Sequence, residues 1–248
     1  MRHGKAPEMK DVCVVFIHGF MGNSALFAPF AEAVAARGAE VRLLTLPGHG
    51  GTLREFLRAG RREWQAHVDA ELAALQAQQK TLLVVSHSMG GLLAVNAAAK
   101  RPDRIVGIFA LAFPLYLRMT WVGIRIRAAS ACRERPGEDP RIVAARELRG
   151  VSGVTLWNAP ALIPNSLGLL RLMGRTRKNL PRLVPPLAVA NSIGDELVSF
   201  SRSLALVRRS LPGAQVLQLH ESSHFWFCQN EEKALEKHLL HMLQSAQS

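Results

Sequence analysis

Four short apolar runs constrain this chain more than anything else in it. "VCVVFI" (12–17), "TLLVVS" (81–86), "RIVGIFALA" (104–112) and "LAVANS" (187–192) are largely apolar throughout instead of alternating. A strand apolar on both faces must be covered on both faces, the condition met in a parallel sheet with helices above and below. "EVRLLTL" (40–46) and "AQVLQL" (214–219) add two further strands. Helical segments separate them. "SALFAPFAEAVAARG" reads as a helix with Ser24 as candidate N-cap and Gly38 as its stop. Residues 61–79, "MGGLLAVNAAAK" and "SFSRSLALVRRSLPG" read as three more. "EEKALEKHLLHMLQS" carries an apolar stripe at Leu235, Leu239 and Leu243. The pattern predicts an α/β fold with a mostly parallel central sheet and helices on both faces. A chain of 248 residues fits one such domain.

The alternation fails between residues 113 and 186. We therefore expect a core from 1–112 and 187–248 and an insert, 113–186, lying as a cap over the strand ends. The formal net charge is +12. Within the insert, thirteen Arg and Lys stand against four Asp and Glu, a balance of +9, so most of the basic excess is there. "SLGLLRLMGRTRKNL" (166–180) mixes leucines with cations. It predicts an apolar face over an acyl pocket with a cationic rim, suited to an anionic membrane surface, an acidic substrate or an acidic carrier protein. The plain alternative is a solvated basic face. Nucleic acid is disfavoured, because no binding module surrounds the cations and only Tyr116, Trp121 and Trp157 offer stacking there.

Cys13, Cys132 and Cys228 are odd in number and widely spaced, with no metal-ligand pattern, as in a reduced intracellular chain. "MRHGKAPEMKD" is polar, and Val12 to Ile17 is too short for a signal segment. The longest uncharged apolar stretch, Ile105 to Leu117, contains Pro114 and falls short of the roughly 18 residues a membrane span needs. These features predict a soluble, cytoplasmic protein.

The chemistry concentrates at strand ends. Ser88 lies between the strand "TLLVVS" and the helix "GGLLAVNAAA". A sharp strand-to-helix turn lifts one side chain above the sheet edge, and the residues two before and two after it must be small. Here they are Ser86 and Gly90. The alternative is a serine capping the helix. A nucleophilic serine needs a base, and the base an orienting acid. Asp195 follows "LAVANS", and His224 follows "AQVLQL". Glu196 and His220 are the competing acid and base. His224 is favoured because it lies farther into its loop and can curl back to the sheet edge. His238 and His241 read as helix-surface residues. Two backbone N–H groups would hold an oxyanion: that of Met89, after the nucleophile, and that of Phe20 in "HGFMGNS", where Gly19 and Gly22 permit a close bend. A plain Gly-rich turn is the other reading of that loop. "HFWFC" (224–228) fits either a pocket wall or packing under the last helix.

"IHGFMGNSALFAPFAEAVAARG", "LPGHGG", "SHSMGG", "IGDELV" and "SSHF" together resemble the α/β-hydrolase superfamily, closest to its carboxylesterase and monoacylglycerol lipase branch. The likeness covers about 12–112 and 187–246 and leaves the insert out. Ser86 replaces the usual elbow glycine, and Ser223 stands where glycine often precedes the histidine. The resemblance implies a Ser88–Asp195–His224 triad, an oxyanion hole at Phe20 and Met89, a small-molecule acyl ester as substrate, and neither metal nor organic cofactor. Serine at 88 argues against relatives with an aspartate nucleophile. No G-x-G-x-x-G follows the first strand and no P-loop occurs. Thioester hydrolysis or acyl transfer is the enzymatic alternative; a non-catalytic fold binding an acidic partner is the other.

Overall fold

The computed structural model describes residues 9–118, 120–155 and 157–247. The leading segment read above as polar thus lies mostly outside the described residues. The core runs β1 (Val12–Ile17), α1 (Ala28–Ala35), β2 (Glu40–Leu44), β3 (Gly51–Thr52), α2 (Leu53–Arg58), α3 (Arg61–Ala77), β4 (Thr81–His87), α4 (Met89–Ala98) and β5 (Ile105–Leu111). The insert carries α5 (Trp121–Ser130), α6 (Pro140–Glu147), β6 (Val151–Ser152) and α7 (Ile163–Asn179). β7 (Leu187–Ser192), α8 (Phe200–Ser210), β8 (Gln215–Leu219) and α9 (Gln229–Ser245) complete the chain.

Six strands form one sheet in the order β2-β1-β4-β5-β7-β8, with every pairing parallel. The apolar runs explain the layering. Cys13, Val15 and Ile17 point to one face with Val84, Ile108 and Val189, where Trp64, Val68, Leu72, Leu92 and Leu172 cover them. Val12, Val14 and Phe16 point to the other with Val85 and Phe109, under Phe30 and Val34 of α1 and the α9 stripe Leu235, Leu239 and Leu243. Both faces are dry, as continuous rather than alternating hydrophobicity requires. The edge strands β2 and β8 are the more exposed ones.

The sheet order sets the site. From β1 the chain turns one way to β2 and later returns to the other side for β4. Such a reversal opens a crevice at the carboxyl ends of the two central strands. The loops leaving β1 and β4 both enter it, which brings "HGFMG" beside Ser88.

Two expectations are corrected. Ser24 does not cap the first helix. Asn23 accepts the Ala25 N–H at 2.9 Å and opens a 3-10 turn (Ser24–Phe27), because its side chain reaches the free N–H groups. The segment 166–180 does not face an acyl pocket either. It falls in α7, which packs against α3 and α4 and buries Leu172, Met173 and Thr176. Thr176 accepts from Asn96 Nδ2 at 3.0 Å, and Asn165 donates to the Phe56 and Ala59 carbonyls at 3.1 Å each. The amphipathic stripe of α7 thus belongs to the helical layer over the sheet.

The rest of the insert is stitched to the β1 loop. β6 pairs with β3, Gly150 N–H donates to the Met21 carbonyl at 2.8 Å, and Asn23 Nδ2 donates to the Glu147 carbonyl at 3.0 Å. A Cβ on Gly150 would stand 1.8 Å from the Gly22 carbonyl oxygen, so this close approach requires glycine.

Candidate active site

Ser88 links β4 to α4 with φ 51° and ψ −122°, a left-handed conformation rare for a residue with a side chain. The strain is held from both sides: Ser88 N–H donates to the Leu111 carbonyl at 2.9 Å, and its own carbonyl accepts from Gly91 N–H at 2.9 Å. The side chain is half-buried, at the base of a narrow cleft shared with Phe20, His87, Leu148 and Phe225.

His224 Nε2 lies 3.1 Å from Ser88 Oγ, and His224 Nδ1 lies 2.9 Å from Asp195 Oδ2. An ionised carboxylate only accepts, so Nδ1 carries the proton and Nε2 is left to accept from the serine hydroxyl. Burial opposes ionisation of Asp195. The His224 ring and the N–H groups of Leu197 and Val198, each 2.8 Å from Oδ1, outweigh it and hold the pKa below the usual carboxylate range. His220 is exposed and makes no contact with this group.

Glu196 is buried beside Asp195 but does not touch the imidazole. Its Oε2 accepts the backbone N–H of His224 at 3.1 Å, fixing the loop that carries the ring. Ser223 needs no glycine-like conformation. Its N–H donates to the Trp226 carbonyl at 2.8 Å and its Oγ accepts the Trp226 N–H at 3.2 Å, closing a tight turn.

The Phe20 loop is supported by residues that motif spacing did not single out. The Phe20 ring packs edge-on against Phe56 and Trp64, with centroids 5.3 and 5.8 Å away. His18 Nε2 accepts the Leu46 N–H, and His49 Nε2 accepts the Met21 N–H, each at 3.1 Å. Both rings must be neutral to accept. Burial lowers the His18 pKa to about 4; burial and then the neighbouring His18 lower that of His49 to about 3. His87, between Ser86 and Ser88, donates from Nε2 to the His224 carbonyl at 2.8 Å, and burial brings its pKa to about 3. The sequence signal for all three was a histidine flanking a glycine or serine turn at a strand end. Among the described residues, neither Phe20 nor Met89 uses its backbone N–H in an internal hydrogen bond. Phe20 borders the cleft at Ser88, and Met89, buried, follows Ser88 as the first residue of α4.

Beyond Leu148 and Phe225, the cleft meets a cavity of about 390 Å³ between α5, α6 and the β7–α8 loop. Its walls are mainly apolar, with Arg127 and Arg149 among them. Phe225 thus lines a pocket, while Phe227 is buried under α9 and Cys228 is buried at its N-terminus. Among the described residues, no group of three or more His, Cys, Asp or Glu side chains is placed to hold a metal ion.

The model of the alpha/beta hydrolase family matches residues 14–234. A thermostable monoacylglycerol lipase of Bacillus sp. (strain H-257) is 31% identical over 77% of this chain and 73% of its own. A pimeloyl-[acyl-carrier protein] methyl ester esterase of Chromobacterium violaceum is 29% identical over 95% of both chains. Among solved structures, that of the metagenome-derived lipolytic enzymes LipS and LipT superposes with a TM-score of 0.70 at 23% identity, covering 95% of each chain, a likeness of fold.

Proposed function

The chain belongs to the alpha/beta hydrolase family, and from that premise we propose that it is a serine hydrolase cleaving carboxylic esters through an acyl-enzyme on Ser88. The observation that carries this reading is the His224 ring, which bridges Ser88 Oγ and Asp195 Oδ2 at 3.1 and 2.9 Å. Ser88 Oγ attacks the ester carbonyl carbon while its proton passes to His224 Nε2. The charge that develops on the carbonyl oxygen is held by the Phe20 and Met89 N–H groups, fixed in place before the reaction. The carbon–alkoxy bond breaks, and the imidazolium gives its proton to the departing alcohol. Water then attacks the acyl carbon, loses a proton to Nε2, and expels Ser88 Oγ, which is reprotonated. Asp195 stabilises the imidazolium and keeps the ring oriented without accepting its proton. No step calls on a metal or organic cofactor.

The names of the Bacillus and Chromobacterium relatives support ester hydrolysis. The second also favours an acidic carrier protein, over an anionic membrane, as the partner of the insert's outward cations Arg125, Arg133 and Arg135. No helix among the described residues is long and apolar enough to cross a membrane. Cys13, Cys132 and Cys228 form no disulfide, which supports placing the protein in the reducing cytoplasm.

A panel of p-nitrophenyl esters tests the reading. Turnover by the wild type, lost by several orders of magnitude in Ser88→Ala, is expected. Ser88→Ala with full activity would overturn it.

A further inference from the structure

The cavity beyond Phe225 is lined by a cation that, among the described residues, no carboxylate pairs with. Arg127, on α5, forms no ion pair or hydrogen bond among the described residues; its guanidinium lies 5.7 Å from the centre of the Phe225 ring. Arg127 is exposed and is one of the residues that line the cavity. Desolvation first, and then the like charge of Arg149, lower its pKa, against the pull of Glu196. The acids nearby make their hydrogen bonds to other groups, although Glu196 Oε1 is left without a partner. Glu138 holds Arg146 at 2.7 Å, Asp139 holds Arg141, and Glu196 Oε2 accepts from His224 N–H. Arg149, the second cation of the wall, donates to the Ser130 carbonyl. A guanidinium that lines a mainly apolar wall and carries no carboxylate is open to an anionic group brought in by a substrate.

The cavity adjoins the cleft at Ser88. The Phe225 ring stands edge-on to His224, with centroids 4.7 Å apart, and Arg127 lies over the same ring. Phe225 and Leu148 border both the cleft at Ser88 and the cavity. A substrate chain leaving the ester carbon and passing these two side chains would end at Arg127. The volume, about 390 Å³, suits a short chain.

Resting on the ester-hydrolase reading, we infer that the cavity selects esters bearing a carboxylate at the far end of a short apolar chain, with Arg127 as the recognising group. The planar guanidinium fork matches a carboxylate in two parallel hydrogen bonds, and the apolar walls hold the methylenes between. The carboxylate can be carried on the acyl side, as in a half-ester of a dicarboxylic acid, or on the alcohol side, as in an ester of a hydroxy acid.

Two substrate pairs separate these arms: monomethyl adipate against methyl hexanoate, and 6-acetoxyhexanoate against hexyl acetate. In one pair the wild type is expected to favour the carboxylate ester by about ten- to a hundred-fold in kcat/KM, mostly through KM. In Arg127→Met the ratio should fall to about one, with Arg127→Lys between. No preference in either pair, or a preference that survives Arg127→Met, overturns the inference. A terminal phosphate favoured over the carboxylate overturns it too. If no ester is turned over, the ester-hydrolase reading fails, and calorimetry still decides the pocket. Adipate should bind the wild type at least about tenfold more tightly than hexanoate, and Arg127→Met should bind the two alike. Equal binding by the wild type contradicts the assignment.

Discussion

Gly90→Ala should dismantle the Ser88 turn. Gly90 is the second residue of α4 and lies directly against the end of β1. A Cβ there would lie 2.0 Å from the Ile17 carbonyl oxygen, 2.7 Å from its carbon and 2.8 Å from the His18 carbonyl oxygen. All three are backbone atoms, so no side chain can rotate away. β1 cannot retreat, because Ile17 is held in register between Leu44 and Ser86. Overpacking that a core can absorb costs about 1–3 kcal/mol. Here nothing yields, and about 3 kcal/mol is a lower bound, well above the ~1 kcal/mol by which alanine improves a helix. For a domain of this size each kcal/mol moves Tm by about 2–4 °C, so Gly90→Ala should lower it by at least about 6 °C. Gly213→Ala, where a Cβ meets nothing within 4 Å, is the matched control and should change stability by less than about 0.5 kcal/mol. Calorimetry gives Tm, and the rate of fluorophosphonate labelling reports the turn itself. A Gly90→Ala protein that melts within about 2 °C of wild type and labels as fast would refute the packing argument.

Asp195→Asn keeps an oxygen for the Leu197 and Val198 N–H groups but turns an amide toward His224 Nδ1. The ring then takes the wrong tautomer, and kcat should fall by about 10⁴; a loss under tenfold in steady-state assays would point to another acid. Glu196→Leu removes the acceptor of the buried His224 N–H, at about 1–3 kcal/mol. It should lower kcat more than it raises KM, with Glu196→Gln restoring most of the rate; equal impairment by both would contradict a hydrogen-bonding role. Acid should loosen the Phe20 loop. The folded pKa of His18, about 4, lies below the unfolded value of 6.5, so the unfolded chain binds more protons between them. Stability is complete above pH 6.5 and falls as pH drops toward 4, by roughly 2 kcal/mol from His18 alone at pH 5. His49 and His87 add to it in the same direction. Urea midpoints that do not change between pH 7 and 5 would show that these rings are not neutral in the folded state.

The parallel sheet was legible because its strands are apolar on both faces, a property local to each run. Ser88, Asp195 and His224 were legible as candidates because each follows such a strand, and the structure brings their side chains within hydrogen-bond distance. Their supports were not. His18 and His49 act through Leu46 and Met21, 28 residues away in each case, and sequence spacing carries no sign of that pairing. The two departures from the family pattern have local explanations. Ser86 is fully buried with room for its hydroxyl, which donates to the Phe109 carbonyl at 3.4 Å, whereas position 90 has no room for even a methyl. The insert was the least legible part. The leucines of α7 suggested a pocket wall, yet an amphipathic stripe fits any apolar surface, and the nearest one is α4. The cavity was built instead from the small and mixed residues of α5 and α6, whose pattern is too weak to read.

Intact-protein mass spectrometry with peptide mapping after reaction with a fluorophosphonate shows directly whether Ser88 is the nucleophile. One adduct per chain on the Ser88 peptide, formed in step with the loss of esterase activity and absent from His224→Ala, is the predicted result. Active protein that takes up no label, or carries it on another residue, would show that Ser88 is not the nucleophile.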